Sequence, residues 1–158
     1  MGTSQSTRAV DDRASSSIDT RRRAIGRIAL GCFLVFAGIT HLTVSRQEFQ
    51  AQVPTWVPLD ADAVVLASGI VEITLGTALV VVRRRRRAIV GGVVAAFFVA
   101  VFPGNISQLV THTDAFGLDT DAARAIRLVF QPLLVLWALW STGAWRTWRN
   151  YRSAGHSA

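Results

Sequence analysis

The chain has one cysteine, Cys32, so it can close no internal disulfide and carries no paired-thiol motif, which excludes the thiol–disulfide membrane oxidoreductases. Cys32 stands in an apolar run, where a small buried hydrophobe is expected. Lysine is absent: all 17 basic residues are arginine, a pattern we read as genomic composition bias. The ten acidic residues leave a net charge of +7. A basic nucleic-acid binder would spread its arginines over a face of ordinary polarity. Here they stand in blocks beside long apolar runs, as in membrane proteins, so nucleic acid is not expected as a partner. Phosphate-binding loops, zinc-ligand spacings, nucleophile elbows and paired catalytic carboxylates are also missing. No catalytic or metal-ligating set is assigned.

What the 158 residues do contain is apolar length, 51% of them hydrophobic, in a chain with room for one domain. Residues 1–22 are rich in Ser, Thr, Asp and Arg; they cannot bury enough surface to offset ordering entropy, and a disordered cytoplasmic tail is expected. Apolar runs follow at about 24–44, 63–82, 88–110 and 124–145. Each approaches the ~20 residues that cross ~30 Å of hydrocarbon. None has the polar face that a soluble helix needs. The first run is too long for a signal-peptide core and no small-x-small cleavage site closes it, so it is expected to stay as a span. The expected fold is all-α, an antiparallel bundle of four transmembrane helices over residues 23–145, with a basic tail at 146–158.

Arginine placement predicts the orientation. Arg21–Arg23 precede the first run, Arg83–Arg87 link the second to the third, and Arg146, Arg149 and Arg152 follow the fourth. The other two loops hold Arg46 alone in 45–62, and Asp114, Asp119 and Asp121 in 111–123. Basic segments stay inside, which predicts both termini in the cytoplasm. Trp56, Trp145 and Trp148 fall at interfacial positions. The five-arginine link reads as a topology signal that also touches anionic headgroups.

Ionisable and amide groups inside hydrocarbon are costly, so those present are candidate site residues. Glu72 is near the middle of the second run and Arg127 just inside the outer end of the fourth. His41, Asn105, Gln108 and Gln131 lie in the outer parts of their helices. Arg27, near the cytoplasmic surface, is expected to snorkel. Asn105, Gln108 and His112 share one helical face, Arg127 and Gln131 another. Gly69, Glu72 and Gly76 share a third, where glycines admit a neighbouring helix. The four helices can therefore converge His41, Glu72, Asn105, Gln108, Arg127 and Gln131 on one polar pocket open to the outside. A Glu72–Arg127 ion pair is the expected centre, because a carboxyl left without a cation there would be held neutral by desolvation. The cluster reads either as a ligand or proton site or as structural glue.

Pro103 and Pro132 each remove a helical donor, and Pro103-Gly104-Asn105 reads as a bent or broken helix. Pro54 and Pro58 around Trp56 predict a stiff, extended segment, either a cover for the pocket mouth or an interfacial turn. Haem held by His41 and His112 is disfavoured, since His112 belongs to a loop boundary and no second histidine pair exists.

These residues resemble the DoxX-like family of small bacterial membrane proteins. The resemblance rests on Gly38-Ile39-Thr40-His41, the Val53-Pro54…Pro58 loop, Ser68-Gly69-Ile70-Val71-Glu72 with Gly76, Phe102-Pro103-Gly104-Asn105-Ile106 and Arg127-Leu128-Val129-Phe130-Gln131. It covers about residues 24–145. It implies a four-helix domain in the bacterial cytoplasmic membrane, with motif positions at His41, Glu72, Asn105, Arg127 and Gln131. It further implies an accessory subunit of a quinone-linked redox system, with quinone as the ligand and redox-enzyme subunits as partners. A quinone needs a donor or acid for its carbonyl oxygens within an apolar cleft. The alternatives are a small transporter or lipophile-binding protein, which would require a homo-oligomer, and a ligand-free scaffold.

Overall fold

The computed structural model describes residues 3–112 and 120–154. Six α-helices and one 3-10 turn are present among them: α1 (Thr3–Leu42), α2 (Arg46–Gln50), α3 (Ala61–Val81), the turn Arg84–Arg86, α4 (Arg87–Val110), α5 (Asp121–Thr142) and α6 (Ala144–Ala154). Four segments are long and apolar enough to cross a membrane: Ser17–Leu42, Ala61–Val81, Arg84–Val110 and Ala125–Thr142. Their outer surfaces carry large apolar side chains, among them Phe36, Ile70, Val99 and Leu136. Such a surface suits hydrocarbon rather than water.

Two helix pairs make up most of the packing, α1 against α3 and α4 against α5, with α1 also touching α5. Leu30, Leu34, Leu79, Val94, Phe98 and Ala138 form the buried core between them. Glycine sets the α1–α3 contact. A Cβ on Gly31 would lie 2.7 Å from the Gly76 carbonyl oxygen, and one on Gly38 would lie 2.6 Å from that of Gly69. The contacts are seven residues apart on each helix and meet in reverse order, so the two backbones touch about two turns apart as the helices run in opposite directions.

Local chemistry sets the ends. Asp60 caps α3, its side chain accepting from the Ala63 amide at 3.0 Å. Gly143, at φ 74°, stops α5 in the left-handed conformation that suits a helix C-terminus, and α6 starts at the next residue. Hydroxyls within the spans bond back to their own helix, as Thr74 does to Ile70 and Thr142 to Ala138, both at 2.7 Å. Apolar surroundings demand that satisfaction.

The structure corrects several expectations. Helix α1 begins at Thr3 and runs unbroken into the first apolar segment; a helix already nucleated extends at the cost of one residue's ordering per added hydrogen bond. Residues 146–154 of the basic tail lie within α6. Cys32 is exposed on the outer surface of α1, not buried. Neither Pro103 nor Pro132 breaks its helix. Arg27 does not snorkel: it is buried and donates through Nη1 to the carbonyls of Leu79 and Val80. Those carbonyls belong to the last turn of α3, where helix geometry leaves them without partners and the dipole favours a cation.

Candidate functional site

At the end of the structure where α1 finishes and α3 begins, a cavity of about 270 Å³ opens between α3, α4 and the 45–60 loop. His41, Gln52, Ser68, Glu72, Asn105 and Arg127 supply its polar lining. Val53, Val57, Val65, Val101, Pro54, Pro103, Trp56 and Phe49 supply apolar walls.

The glycine contacts position its acid. Gly69 and Gly76 flank Glu72 on the face of α3 that meets α1, and a Cβ on Gly69 would be 2.9 Å from the Cβ of His41. Close approach there brings Glu72 Oε2 to 3.0 Å from His41 Nδ1, both side chains almost wholly buried. That nitrogen also lies 2.8 Å from the Ala37 carbonyl, with which it makes its hydrogen bond. Glu72 Oε2 is consequently buried without a hydrogen-bond partner. The imidazole ring is fixed from its other side by Phe49, stacked at 3.3 Å between centroids and 16° between planes.

The expected Glu72–Arg127 ion pair does not form. Arg127 donates instead through Nη2 to Gln52 Oε1 at 2.8 Å and through Nη1 to Gln108 Oε1 at 3.4 Å. The reason is rotational: α3 turns its carboxylate towards α1, while the Arg127 side chain reaches the loop and α4. Gln52, held by its oxygen, leaves its buried Nε2 without a partner. Behind this layer Asn105 Nδ2 donates to Gln131 Oε1 at 2.9 Å, and Gln131 Nε2 donates to the Phe98 carbonyl at 2.7 Å. That carbonyl is one residue from Val99, whose own carbonyl Pro103 deprives of a helical donor.

The loop covers the cavity, but as a turn. Val57 N–H bonds the Pro54 carbonyl at 3.0 Å, so the proline segment is a turn, the second of its two sequence readings, and not extended. The short helix α2 anchors it. Arg46 donates through Nε and Nη2 to the two Asp62 carboxylate oxygens, and Gln50 Nε2 donates to Oδ1 at 2.6 Å. Hydrogen bonding to that carboxylate raises the Arg46 pKa above its ordinary value.

Of the residues singled out from sequence, His41, Glu72, Asn105, Arg127, Pro54, Trp56 and Pro103 line the cavity. Gln108 and Gln131 are buried one layer behind it, in contact with Arg127 and Asn105. Gly69 and Gly76 lie in the α1–α3 contact. Pro58 is not among the lining residues, and neither is His112, which ends α4 at φ 51°. Asp114 and Asp119 fall outside the described residues, as does His156. Sequence reasoning missed Gln52 and Phe49, which look like ordinary loop residues. It also missed that Gly31 and Gly38 form the other half of the helix contact, although their seven-residue spacing repeats that of Gly69 and Gly76. No group of three or more metal-ligating side chains occurs among the described residues.

A family model described as a domain of unknown function, DUF8561, matches residues 30–142. No curated protein and no solved structure matches the chain.

Proposed function

This chain belongs to the DUF8561 family, and we propose that it is a multi-pass protein of the bacterial cytoplasmic membrane that binds a quinone-class ring in its outer-end cavity. In this reading the helices form an antiparallel bundle with cytoplasmic termini, because the arginine blocks all fall at the opposite end from the cavity. The resemblance to the DoxX-like family points the same way.

The observation that carries the ligand is a pair of unfulfilled groups on one cavity. Glu72 Oε2 makes no hydrogen bond, its neighbour His41 Nδ1 at 3.0 Å being bonded to the Ala37 carbonyl, and Gln52 Nε2 is a buried donor without an acceptor. Leaving each unmade costs about 1–3 kcal/mol, and a bound molecule offering both functions recovers it. A hydroquinone does so: one hydroxyl donates to Glu72 and the opposite oxygen accepts from Gln52. Cavities of roughly 150 Å³ hold a benzene-sized ring, so about 270 Å³ takes a substituted ring and leaves a long tail outside among the apolar side chains. Val65, Val101 and Trp56 supply the apolar contacts that ring faces require.

Electron transfer needs a carrier that this chain's residues do not provide, so the protein acts as an accessory subunit that holds or delivers the ring to a redox partner. Trp56 reports occupancy directly, since a quinone beside it quenches its fluorescence. Titration of the purified chain with a short-tailed quinone should give saturable quenching, most of it lost in Trp56→Phe. Glu72→Gln, which replaces one carboxyl oxygen by an amide nitrogen, should weaken hydroquinone binding about tenfold. Quenching that rises without saturating, and persists in Trp56→Phe, would exclude the reading. Saturable uptake of a hydrophilic solute into proteoliposomes with no quinone effect would favour a transporter instead.

A further inference from the structure

The opposite end of the structure carries a second arrangement, unrelated to the cavity above. Where α5 gives way to α6 at Gly143, two hollows lie side by side and share Leu139 and Trp145. One, of about 480 Å³, is an apolar groove between the first turns of α4, at Ile89 and Gly92, and the tryptophans of α6, Trp145 and Trp148. A Cβ built on Gly92 meets nothing within 4 Å, so the groove is open along that helix. The other, of about 250 Å³, is lined by Arg23 of α1 and Arg146 of α6. Arg23 is held in place over the Trp140 ring, 5.9 Å from its centroid, and donates through Nη1 to the Trp140 carbonyl at 3.4 Å. Its buried Nε stands 3.4 Å from the Asp19 carboxylate yet makes no hydrogen bond.

We propose that this corner is a binding site for one anionic glycerophospholipid, its phosphate between Arg23 and Arg146 and one acyl chain in the groove beside Gly92. Charge complementarity selects the occupant. Two guanidiniums from different helices line one hollow. The adjoining groove is almost wholly apolar and begins at the residue after the five-arginine run. An anionic head and a hydrocarbon chain, covalently joined, match the two hollows in order. The pairing differs from diffuse attraction to a charged leaflet because it has a defined chain slot and a guanidinium positioned by an aromatic ring.

Native mass spectrometry of the full chain tests this, with dioleoylphosphatidylglycerol and dioleoylphosphatidylcholine offered separately. The wild type should retain one phosphatidylglycerol and release phosphatidylcholine. Arg146→Gln should lower retention about fivefold, the effect of one basic residue near an anionic headgroup. Arg149→Gln, on the same helix but lining neither hollow, should leave it unchanged. Gly92→Leu should fold, having open space to enter, and should lose the lipid by filling its slot. Equal retention of the two lipids would overturn the site. So would equal losses in Arg146→Gln and Arg149→Gln, unchanged retention in Gly92→Leu, or a second copy of the chain occupying the corner in a lipid-free dimer.

Discussion

Replacing Gly76 by alanine tests whether backbone contact between α1 and α3 builds the site. The added Cβ would lie 2.5 Å from the Gly31 carbonyl oxygen, 2.8 Å from the Val35 amide nitrogen and 2.9 Å from Val35 Cγ2. Favourable contacts need about 3.5–4.0 Å, so the two helices must separate by about 1 Å. Two of the three obstacles are backbone atoms, which cannot rotate aside. Overpacking of this kind costs about 1–3 kcal/mol, against which alanine regains up to about 1 kcal/mol of helix propensity. The net expected loss is up to about 2 kcal/mol. Gly92→Ala is the internal control: it gains the same propensity and meets nothing within 4 Å, so it should be neutral or stabilising. Unfolding by sodium dodecyl sulfate in mixed micelles, followed by circular dichroism, measures both. The separation should also draw Glu72 from His41 and weaken hydroquinone binding in the same variant. Equal stability of the two alanine variants would refute the reasoning.

Three further outcomes are expected. Gln131→Leu strands the Asn105 amide, at a cost of about 1–3 kcal/mol, whereas the double change Asn105→Leu/Gln131→Leu should recover most of it; the same detergent titration reads both. Arg27→Leu uncaps the Leu79 and Val80 carbonyls and should cost about 1–3 kcal/mol, with the loss of amide protection concentrated at the end of α3. Arg46→Gln releases the clasp on Asp62, so protease cleavage within residues 50–59 should accelerate, and raised salt should reproduce part of that effect in the wild type.

The four long apolar helices were legible because unbroken apolar length has few other uses, and the cavity residues because each polar group in such a run needs a reason to be there. Partner choice was not legible. Whether Glu72 meets Arg127 or His41 depends on the rotation of α3 about its axis, and that rotation is fixed by glycine contacts with α1. The information was in the sequence, since Gly31 and Gly38 repeat the spacing of Gly69 and Gly76. It becomes readable only when both helices are considered together. Gln52 was beyond reach for another reason: a loop glutamine beside prolines has the composition of any solvated turn, and only the folded loop places it against Arg127.

The proposed ligand would bridge two buried groups that make no hydrogen bond, Glu72 Oε2 and Gln52 Nε2. The most direct measurement is an experimental structure of the chain in lipid nanodiscs with a short-tailed hydroquinone added. Ring density bridging Glu72 Oε2 and Gln52 Nε2 is the predicted result. A cavity holding only water, or Glu72 turned to take a donor from Arg127, would contradict it.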